Sequence, residues 1–344
     1  MSLKFTDLKQ DGYERVLLAE ERVSSFYSII ATHNTKRGPA LGGCRFFGYH
    51  GEDDQKKDVL KLSKAMTYKN SLADLDFGGG KATINSRVSK NKMYELYGKM
   101  LDHLDGSYIT AGDIGIVDQD LVELKKYTNY VCSTKGTDSG QSTAYGVFNA
   151  ILGYNEFKYD SSSIENKKIV LKGFGKVGSR LAHFCKEVGA IVEIVDFESN
   201  RSLIENAGFK FLSKYQNTSF DSIDIFSPCA TGGDLNTEFI EFANSVKIDC
   251  VIGAANNQLE NNTIEKNLFD MGITFCPDYC VNAGGVIILA LRSSIKEDME
   301  YLDTEAKNKL IGIKNQLIKI LTLSKEKNQL TTISSNELAE AGFQ

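Results

Sequence analysis

The stretch Lys167–Asp196, KKIVLKGFGKVGSRLAHFCKEVGAIVEIVD, decides the fold. An apolar run, Ile169 to Leu171, leads into Gly173, Gly175 and Gly178 in G-x-G-x-x-G spacing. A helix-like run follows to about Val188, then a second apolar run, Ile191 to Val195, which ends at Asp196. The glycine spacing alone is a weak signal. Strand, turn, helix, strand and terminal acid in this order specify a dinucleotide-binding βαβ unit. Gly173 permits the tight turn, Gly175 lets the main chain approach a pyrophosphate, and Gly178 lets the helix pack closely on the strand. With Lys176 and Val177 they lead into a helix whose first N–H groups face the phosphates. Asp196 accepts hydrogen bonds from a ribose diol and repels a 2′-phosphate, which favours NAD over NADP. Arg201, close by in sequence, is the one feature that points the other way.

Working outward, a helix opening near Ser142 (STAYGVFNAILGY) precedes this unit, and short apolar runs alternate with helical segments after it, as around a parallel sheet. On the N-terminal side, residues 22–33 read as a strand, Asp54 to Ala73 and Tyr94 to Leu104 as helices, and SYITA as another strand. The polar, turn-rich stretch 133–141 separates the two textures. The expectation is an α/β protein of two domains, residues 1–135 and residues 136–324. A final helix over about 325–344 is expected to pack back on the first domain.

The composition, 42% apolar and 25% charged over 344 residues, is that of a globular chain with room for two cores. A formal net charge of −5 argues against a nucleic-acid partner. The N-terminus lacks a basic start followed by an apolar core, and no run has the length of a membrane span, so no membrane partner and a cytoplasmic location are expected. Seven scattered cysteines do not form a disulfide framework. Only Cys276 and Cys280 are close, without a nearby His, so no metal site is expected. The three prolines, Pro39, Pro228 and Pro277, each stand between a strand-like run and a glycine-rich turn, as walls of a pocket would.

The second informative stretch is Asp74–Ile84, DLDFGGGKATI. Helical spacing puts Val59, Leu62, Met66 and Ala73 on one stripe, and Lys69 lies on it too. Lys81 follows three glycines that would let the backbone crowd against a bound molecule. Two ammonium groups in one partly dry site suit one lysine to proton transfer and the other to holding a carboxylate. Asp113, at the end of the strand-like YITA, is placed for a cleft.

The motifs GPALGGCRF, AMTYKNSLADLDFGGGKATI, YITAGDIG, TAYGV, GFGKVG, SPCATGG, GAANNQL and PDYCVNAGGVI resemble the hallmarks of the Glu/Leu/Phe/Val dehydrogenase family, most closely its leucine dehydrogenase branch, over roughly residues 25–290. The resemblance implies an N-terminal substrate domain, a C-terminal Rossmann domain and an active-site cleft between them. It implies that Lys69, assisted by Asn282, binds the α-carboxylate of an L-amino acid, that Lys81 is the general base toward water, and that Asp113 handles protons on the amino group. Hydride passes from Cα to NAD, and the imine hydrolyses to a 2-oxo acid and ammonia. Thr143 and Asn256 are implied at the nicotinamide end, and Cys229 and Ala230, in SPCATGG, join the cofactor set.

Leu41, before the pair Gly42 and Gly43, stands where glutamate-specific relatives carry a lysine, and burying a carboxylate there without a partner would cost several kcal/mol, about 4 or more. Ala111, Val286 and Leu289 match the relatives' side-chain pocket and are apolar, so leucine or another branched-chain amino acid is the expected substrate. Gly112 where leucine-type members have an acid, no acidic pair after NAGGVI, and no Ser-Pro in GTDSGQST leave phenylalanine, valine and tryptophan open. An NAD-binding sensor without turnover is the rival from another class; Lys69, Lys81 and Asp113, all present, speak against it. A 2-hydroxy acid dehydrogenase would want a His and Arg pair, and the four histidines lie outside the motifs. The family resemblance further implies a homo-oligomer, at least a dimer.

Overall fold

The computed structural model describes residues 2–132, 137–294 and 299–343. The chain divides into two compact units: Met1–Thr137 with Leu289–Leu302 and Ala339–Gln344, and Asp138–Ile288 with Asp303–Leu338. The expected boundary region, 133–141, lies partly outside the described residues, which omit 133–136. Two allotments differ from expectation. Residues 289–302 belong to the first unit, and 325–338 to the second, so that of the final helix only the end from Ala339 joins the first. Helical periodicity reports that a face is buried, not which partner buries it.

The first unit carries β1 (Lys4–Asp7), β2 (Arg15–Glu21), β3 (Phe26–Asn34), β4 (Ala40–Phe47), α1 (Glu52–Leu72), β5 (Gly78–Asn85), α2 (Lys90–His103), β6 (Tyr108–Gly112) and α3 (Asp118–Leu124). Its sheet runs β1-β2-β3-β5-β4-β6. β4 is parallel to both β5 and β6, whereas β3 is antiparallel to β5. β3 starts at Phe26 rather than residue 22 because Ser25, at φ 58°, turns the chain out of β2.

Strand alternation sorts the side chains. Ala40 and Cys44 of β4, Ala82 and Ile84 of β5, and Tyr108 of β6 enter a core with Met93, Tyr97 and Leu101 of α2. The opposite face, which carries Leu41, Gly43, Arg45, Lys81, Thr83, Ala111 and Asp113, is the one α1 covers: the Gln55 amide donates to Thr83 O at 3.1 Å.

α1 lies closer to the sheet than a stripe of large apolar residues permits. Its buried line is Gln55, Val59, Ser63, Thr67 and Asn70, while Leu62, Met66 and Lys69 are only half-buried. The reason is Gly79: a Cβ there would stand 2.0 Å from Thr67 N. At that separation small and amide side chains replace bulky ones, and Asn70 Nδ2 donates to Gly78 O at 2.6 Å. Gly78 and Gly80 are crowded likewise, by Asn34 O at 2.0 Å and the Tyr108 ring at 2.7 Å. The triple glycine is therefore required by protein packing, which corrects the expectation that a ligand occupies that space.

The second unit carries α4 (Ser139–Tyr159), β7 (Lys168–Lys172), α5 (Gly178–Glu187), β8 (Ile191–Val195), α6 (Arg201–Asn206), β9 (Lys210–Leu212), β10 (Ser222–Pro228), α7 (Thr237–Ser245), β11 (Lys247–Val251), α8 (Asn262–Asp270), β12 (Thr274–Phe275) and α9 (Asp278–Val281). Helices α10 (Gly284–Ser294), α11 (Met299–Lys327) and α12 (Thr331–Ala341) complete the chain. α4 begins at Ser139, three residues before the expected start, because Asp138 caps it by accepting from Gln141 N at 3.0 Å.

All pairings in this sheet are parallel and its order is β12-β11-β10-β7-β8-β9. Starting from β7, the chain builds outward to β9, then returns to the other side of β7 to lay down β10. This is the doubly wound dinucleotide-binding order, with its switch point between β7 and β10. Val170, Phe226, Phe239 and Val251 belong to the core on one face of that sheet. Every cysteine except Cys229 is buried. Among the described residues no helix is long and apolar enough to cross a membrane.

Candidate active site

In the first unit, Lys81 projects from the middle of β5 and Asp113 follows the last residue of β6, yet Lys81 Nζ lies 2.8 Å from Asp113 Oδ2. β4 runs between these strands. The two side chains meet across it because β4 carries Gly43 at the crossing, where an added Cβ would stand 3.0 Å from the Asp113 Cβ and 2.6 Å from Gly112 O. Gly42 is equally constrained, by Gly80 O at 1.8 Å from the corresponding position. Protein atoms thus occupy the space beside both glycines, and what Gly43 provides is room for Asp113.

The pair is largely withdrawn from water, with side-chain exposures of 9% for Lys81 and 22% for Asp113. Burial alone would push the Asp113 carboxyl up. The charge and hydrogen bond of Lys81, the charge of Arg45 and the Ile114 N–H outweigh it and hold the group below the usual carboxylate range. Asp113 is thereby held as an anion.

Arg45 was not among the residues the sequence singled out. Its Nε approaches Asp113 Oδ2 at 3.3 Å, and its Nη1 binds both oxygens of Asp58 on α1, at 3.0 and 2.9 Å. Tyr49 donates to Asp58 Oδ2 at 2.7 Å. The signal was present: Arg45 lies two residues past Gly43 and so, by the strand period, on the face of Lys81 and Asp113.

Leu41 and Ala111 are buried on that same face. Lys69 is half-buried in the last turn of α1, beside Asn70, which ties that turn to β5. Val286 and Leu289, three apart on α10, are half-buried.

In the second unit the glycine turn is built as its spacing requires. Gly173 has φ +102°, and its missing Cβ would collide with Ala230 at 2.8 Å. Gly178 lies against Gly173 O, 1.9 Å from where a Cβ would be. At Gly175 nothing lies within 4 Å of that position, so the main chain presents an open face. Lys176 is exposed and Val177 precedes the first turn of α5. Cys229 and Ala230 follow β10, and Cys229 N donates to Lys172 O at 2.8 Å, so both border the switch point. Asp196 closes β8 and accepts from Phe174 N, inside the turn, at 2.6 Å and from Asn200 Nδ2 at 2.9 Å. An open glycine cradle, a helix N-terminus and a half-exposed acid at the next strand end fit a dinucleotide.

Arg201 is engaged by neighbours in its own segment. Its guanidinium binds Glu198, at 3.1 Å through Nη2, and Glu205 at 3.3 Å, and lies over the Phe211 ring. Thr143 is half-buried on α4, its hydroxyl donating to Ser139 O at 2.7 Å. Asn282 Nδ2 donates to Ala254 O at 3.1 Å and to the exposed Asn256 at 2.9 Å. A carbonyl only accepts, so Ala254 fixes the amide and leaves Oδ1 as a buried acceptor without a partner among the described residues. As arranged, Asn282 presents an acceptor, which complements an N–H donor rather than a carboxylate.

The family model described as Glu/Leu/Phe/Val dehydrogenase, dimerisation domain, matches residues 14–130, and that described as Glutamate/Leucine/Phenylalanine/Valine dehydrogenase matches residues 194–342. A leucine dehydrogenase of Geobacillus stearothermophilus is 34% identical, covering 98% of this chain and 92% of its own. The chain belongs to the Glu/Leu/Phe/Val dehydrogenase family.

A valine dehydrogenase of Streptomyces virginiae is 39% identical, covering 82% of this chain and 81% of its own. The crystal structure of an L-tryptophan dehydrogenase from Nostoc punctiforme superposes with a TM-score of 0.85 at 32% identity, covering 96% of each chain. As a member of this dehydrogenase family the protein is an oxidoreductase acting on the CH–NH2 group of amino acids, with NAD as cofactor. Among the described residues no cluster of three or more His, Cys, Asp or Glu is arranged to hold a metal ion.

Proposed function

We propose that the protein catalyses reversible oxidative deamination of an apolar L-amino acid, leucine or another branched-chain amino acid, to the 2-oxo acid and ammonia. The observation that carries this reading is the Lys81–Asp113 ion pair, set on one sheet face with Leu41 and Ala111. Leu41 and Ala111 themselves offer only apolar surface, so a second carboxylate packed against them would be desolvated without a hydrogen-bond partner from either.

NAD, held by Gly173, Gly175, Lys176, Val177, Gly178 and Asp196 with Cys229, Ala230, Thr143 and Asn256 toward the nicotinamide, supplies the acceptor for the hydride that leaves Cα. The chain's own residues manage charge and protons. Lys69 grips the α-carboxylate as a compact cation on a flexible stem. Asp113, anionic, takes a proton from the substrate ammonium, which frees the nitrogen lone pair to form the imine. Lys81 takes a proton from the water that attacks the imine carbon. Because Lys81 and Asp113 are in direct contact, at 2.8 Å, a proton on either can reach the other. Val286 and Leu289 add apolar surface for the substrate side chain, and Asn282 offers its acceptor to an N–H donor. The protein works as a homo-oligomer of at least two copies; the match of residues 14–130 to a dimerisation domain supports this.

A second reading, preference for an aromatic substrate, is favoured by the similarity to the L-tryptophan dehydrogenase over 96% of both chains. The two separate in one experiment: initial rates of NAD reduction with L-leucine, L-valine, L-isoleucine, L-phenylalanine, L-tryptophan and L-glutamate. The branched-chain substrates are expected to give the highest kcat/KM. Highest turnover of phenylalanine or tryptophan supports the second reading, and no turnover by protein that binds NAD overturns both.

A further inference from the structure

We propose that Arg45, clamped by Asp58 and Tyr49, is a positioning residue that holds Asp113 in place and supplies the permanent counter-charge to it throughout the reaction. The inference rests on the role given above to the Lys81–Asp113 pair and assigns what holds that pair in order.

Lys81 and Arg45 address the same oxygen of Asp113, Oδ2, at 2.8 and 3.3 Å. The two cations differ in kind. An amine can lose its proton during the cycle and with it its charge, whereas a guanidinium stays charged at any working pH and keeps a rigid planar fork. When Lys81 is neutral, Arg45 still faces Asp113, and the carboxylate is never left buried without a cation. Asp113 stands one residue beyond β6, where the backbone is held by Phe46 N donating to Ile114 O at 2.8 Å and Ile116 N to Asp113 O at 2.9 Å, and Arg45 fixes the side chain.

The arginine is itself fixed. Both Asp58 oxygens accept from Nη1, and Tyr49 donates to Asp58 Oδ2. Arg45, Asp58 and Asp113 have side-chain exposures of 19%, 25% and 22%, so these contacts are only partly screened by water. Burial, then the hydrogen bond to Asp58 and its charge, push the Tyr49 phenol far above its ordinary range, so it remains a donor. Lys81, Arg45, Asp113 and Asp58 together carry two positive and two negative charges, a neutral set. Asp58 therefore tempers the field of Arg45 at Asp113. The groups around Asp113 are Lys81 on β5, Arg45 and Cys44 on β4, the Ile114 N–H in its own loop, Asp58 on α1 behind Arg45, and Asp120 on α3 beyond Cys44. Burial pushes the Cys44 thiol up to about 12, so it stays neutral across the working range.

The two ends of the clamp have opposite signs, and this separates positioning from general structural support. Arg45→Gln, Arg45→Lys and Asp58→Asn are compared with the parent in the ligand-free protein, and protonation of Asp113 is followed by pH-difference infrared spectroscopy, with Asp113→Asn identifying its band. Arg45→Gln is expected to move the titration of Asp113 upward by about one pH unit or more, and Asp58→Asn to move it downward. In turnover, Arg45→Gln is expected to lower kcat by about tenfold or more with KM for NAD unchanged, and Arg45→Lys to recover part of it. Unchanged titration in both variants, or a shift of both in the same direction, overturns the proposal. Should Arg45→Gln fail to fold, Arg45→Lys and Asp58→Asn carry the test. Absence of turnover in the parent counts against the proposed reaction, while the infrared titration still decides the role of Arg45.

Discussion

Lys81 and Asp113 reach each other across an intervening strand, and Gly43 on that strand is what lets them meet. Removing either partner leaves the other charged and buried, and it also removes half of the acid–base unit. Lys81→Met and Asp113→Asn are each expected to lower kcat by about 10² to 10⁴, the usual worth of a positioned acid or base. NAD binding, measured by fluorescence titration, is expected to stay within about threefold of the parent, since a change of that size is under 1 kcal/mol. Equal losses in turnover and NAD affinity would mean damage to the fold rather than to proton transfer.

Gly43→Ala probes the same relationship without touching either charge. Its methyl would meet the Asp113 Cβ at 3.0 Å and Gly112 O at 2.6 Å, so the aspartate must shift. A displacement of about 1 Å is expected to reduce kcat on the order of a hundredfold. Steady-state kinetics with unchanged NAD affinity is the check; activity within twofold of the parent, about 0.4 kcal/mol, would show that the spacing is not critical.

The depressed titration of Asp113 has a consequence for stability. A carboxyl whose folded value lies below its unfolded value stabilises the fold above the unfolded value, about 3.9 for Asp, and the contribution disappears as pH falls through the folded value. Asp113→Asn should therefore be less stable than the parent near neutral pH, with the gap narrowing in acid. Urea midpoints at about pH 7 and about pH 3.5 test this, and a gap that widens in acid contradicts the assignment.

Much of this architecture was legible in the sequence because it rests on local rules. The strand Ile191–Val195 has the bounds its apolar run gives, and Gly173, Gly178 and Asp196 occupy the turn and strand-end positions that their spacing specifies. What was not legible depends on neighbours distant in sequence. The burial of α1 is rotated toward Ser63 and Thr67 because Gly79 draws the helix in, and no periodicity within α1 reports that. The strand period placed Arg45 on the right face, but its pairing with Asp58 was missed for the same reason: an ion pair between a strand and a helix has no sequence spacing of its own.

Two glycines separate these two kinds of information. At Gly79 a methyl would overlap Thr67 N at 2.0 Å, so Gly79→Ala is expected to destabilise the first unit by about 3 kcal/mol or more. At Gly175 the same methyl meets nothing within 4 Å, so Gly175→Ala should keep its melting temperature while KM for NAD rises. Thermal denaturation and NAD titration on both variants test the pair. An unstable Gly175→Ala would show that the open face is needed for folding rather than for the pyrophosphate.

Cofactor choice turns on Asp196 and Arg201. Arg201 is neutralised by Glu198 and Glu205 and stacked on Phe211, while Asp196 places a carboxylate at the end of β8. A 2′-phosphate would meet that negative charge and find the nearby guanidinium engaged. The parent is therefore expected to prefer NAD over NADP strongly in kcat/KM. Asp196→Ser combined with Glu198→Gln removes the repulsion and releases part of Arg201, and should narrow the preference by about tenfold or more, equivalent to 1.4 kcal/mol. KM for NAD should rise in the same variant, because Asp196 also holds the glycine turn through Phe174 N at 2.6 Å. Kinetics with both cofactors decides the point. If the preference for NAD is unchanged, discrimination resides in the shape of the turn and not in these charges.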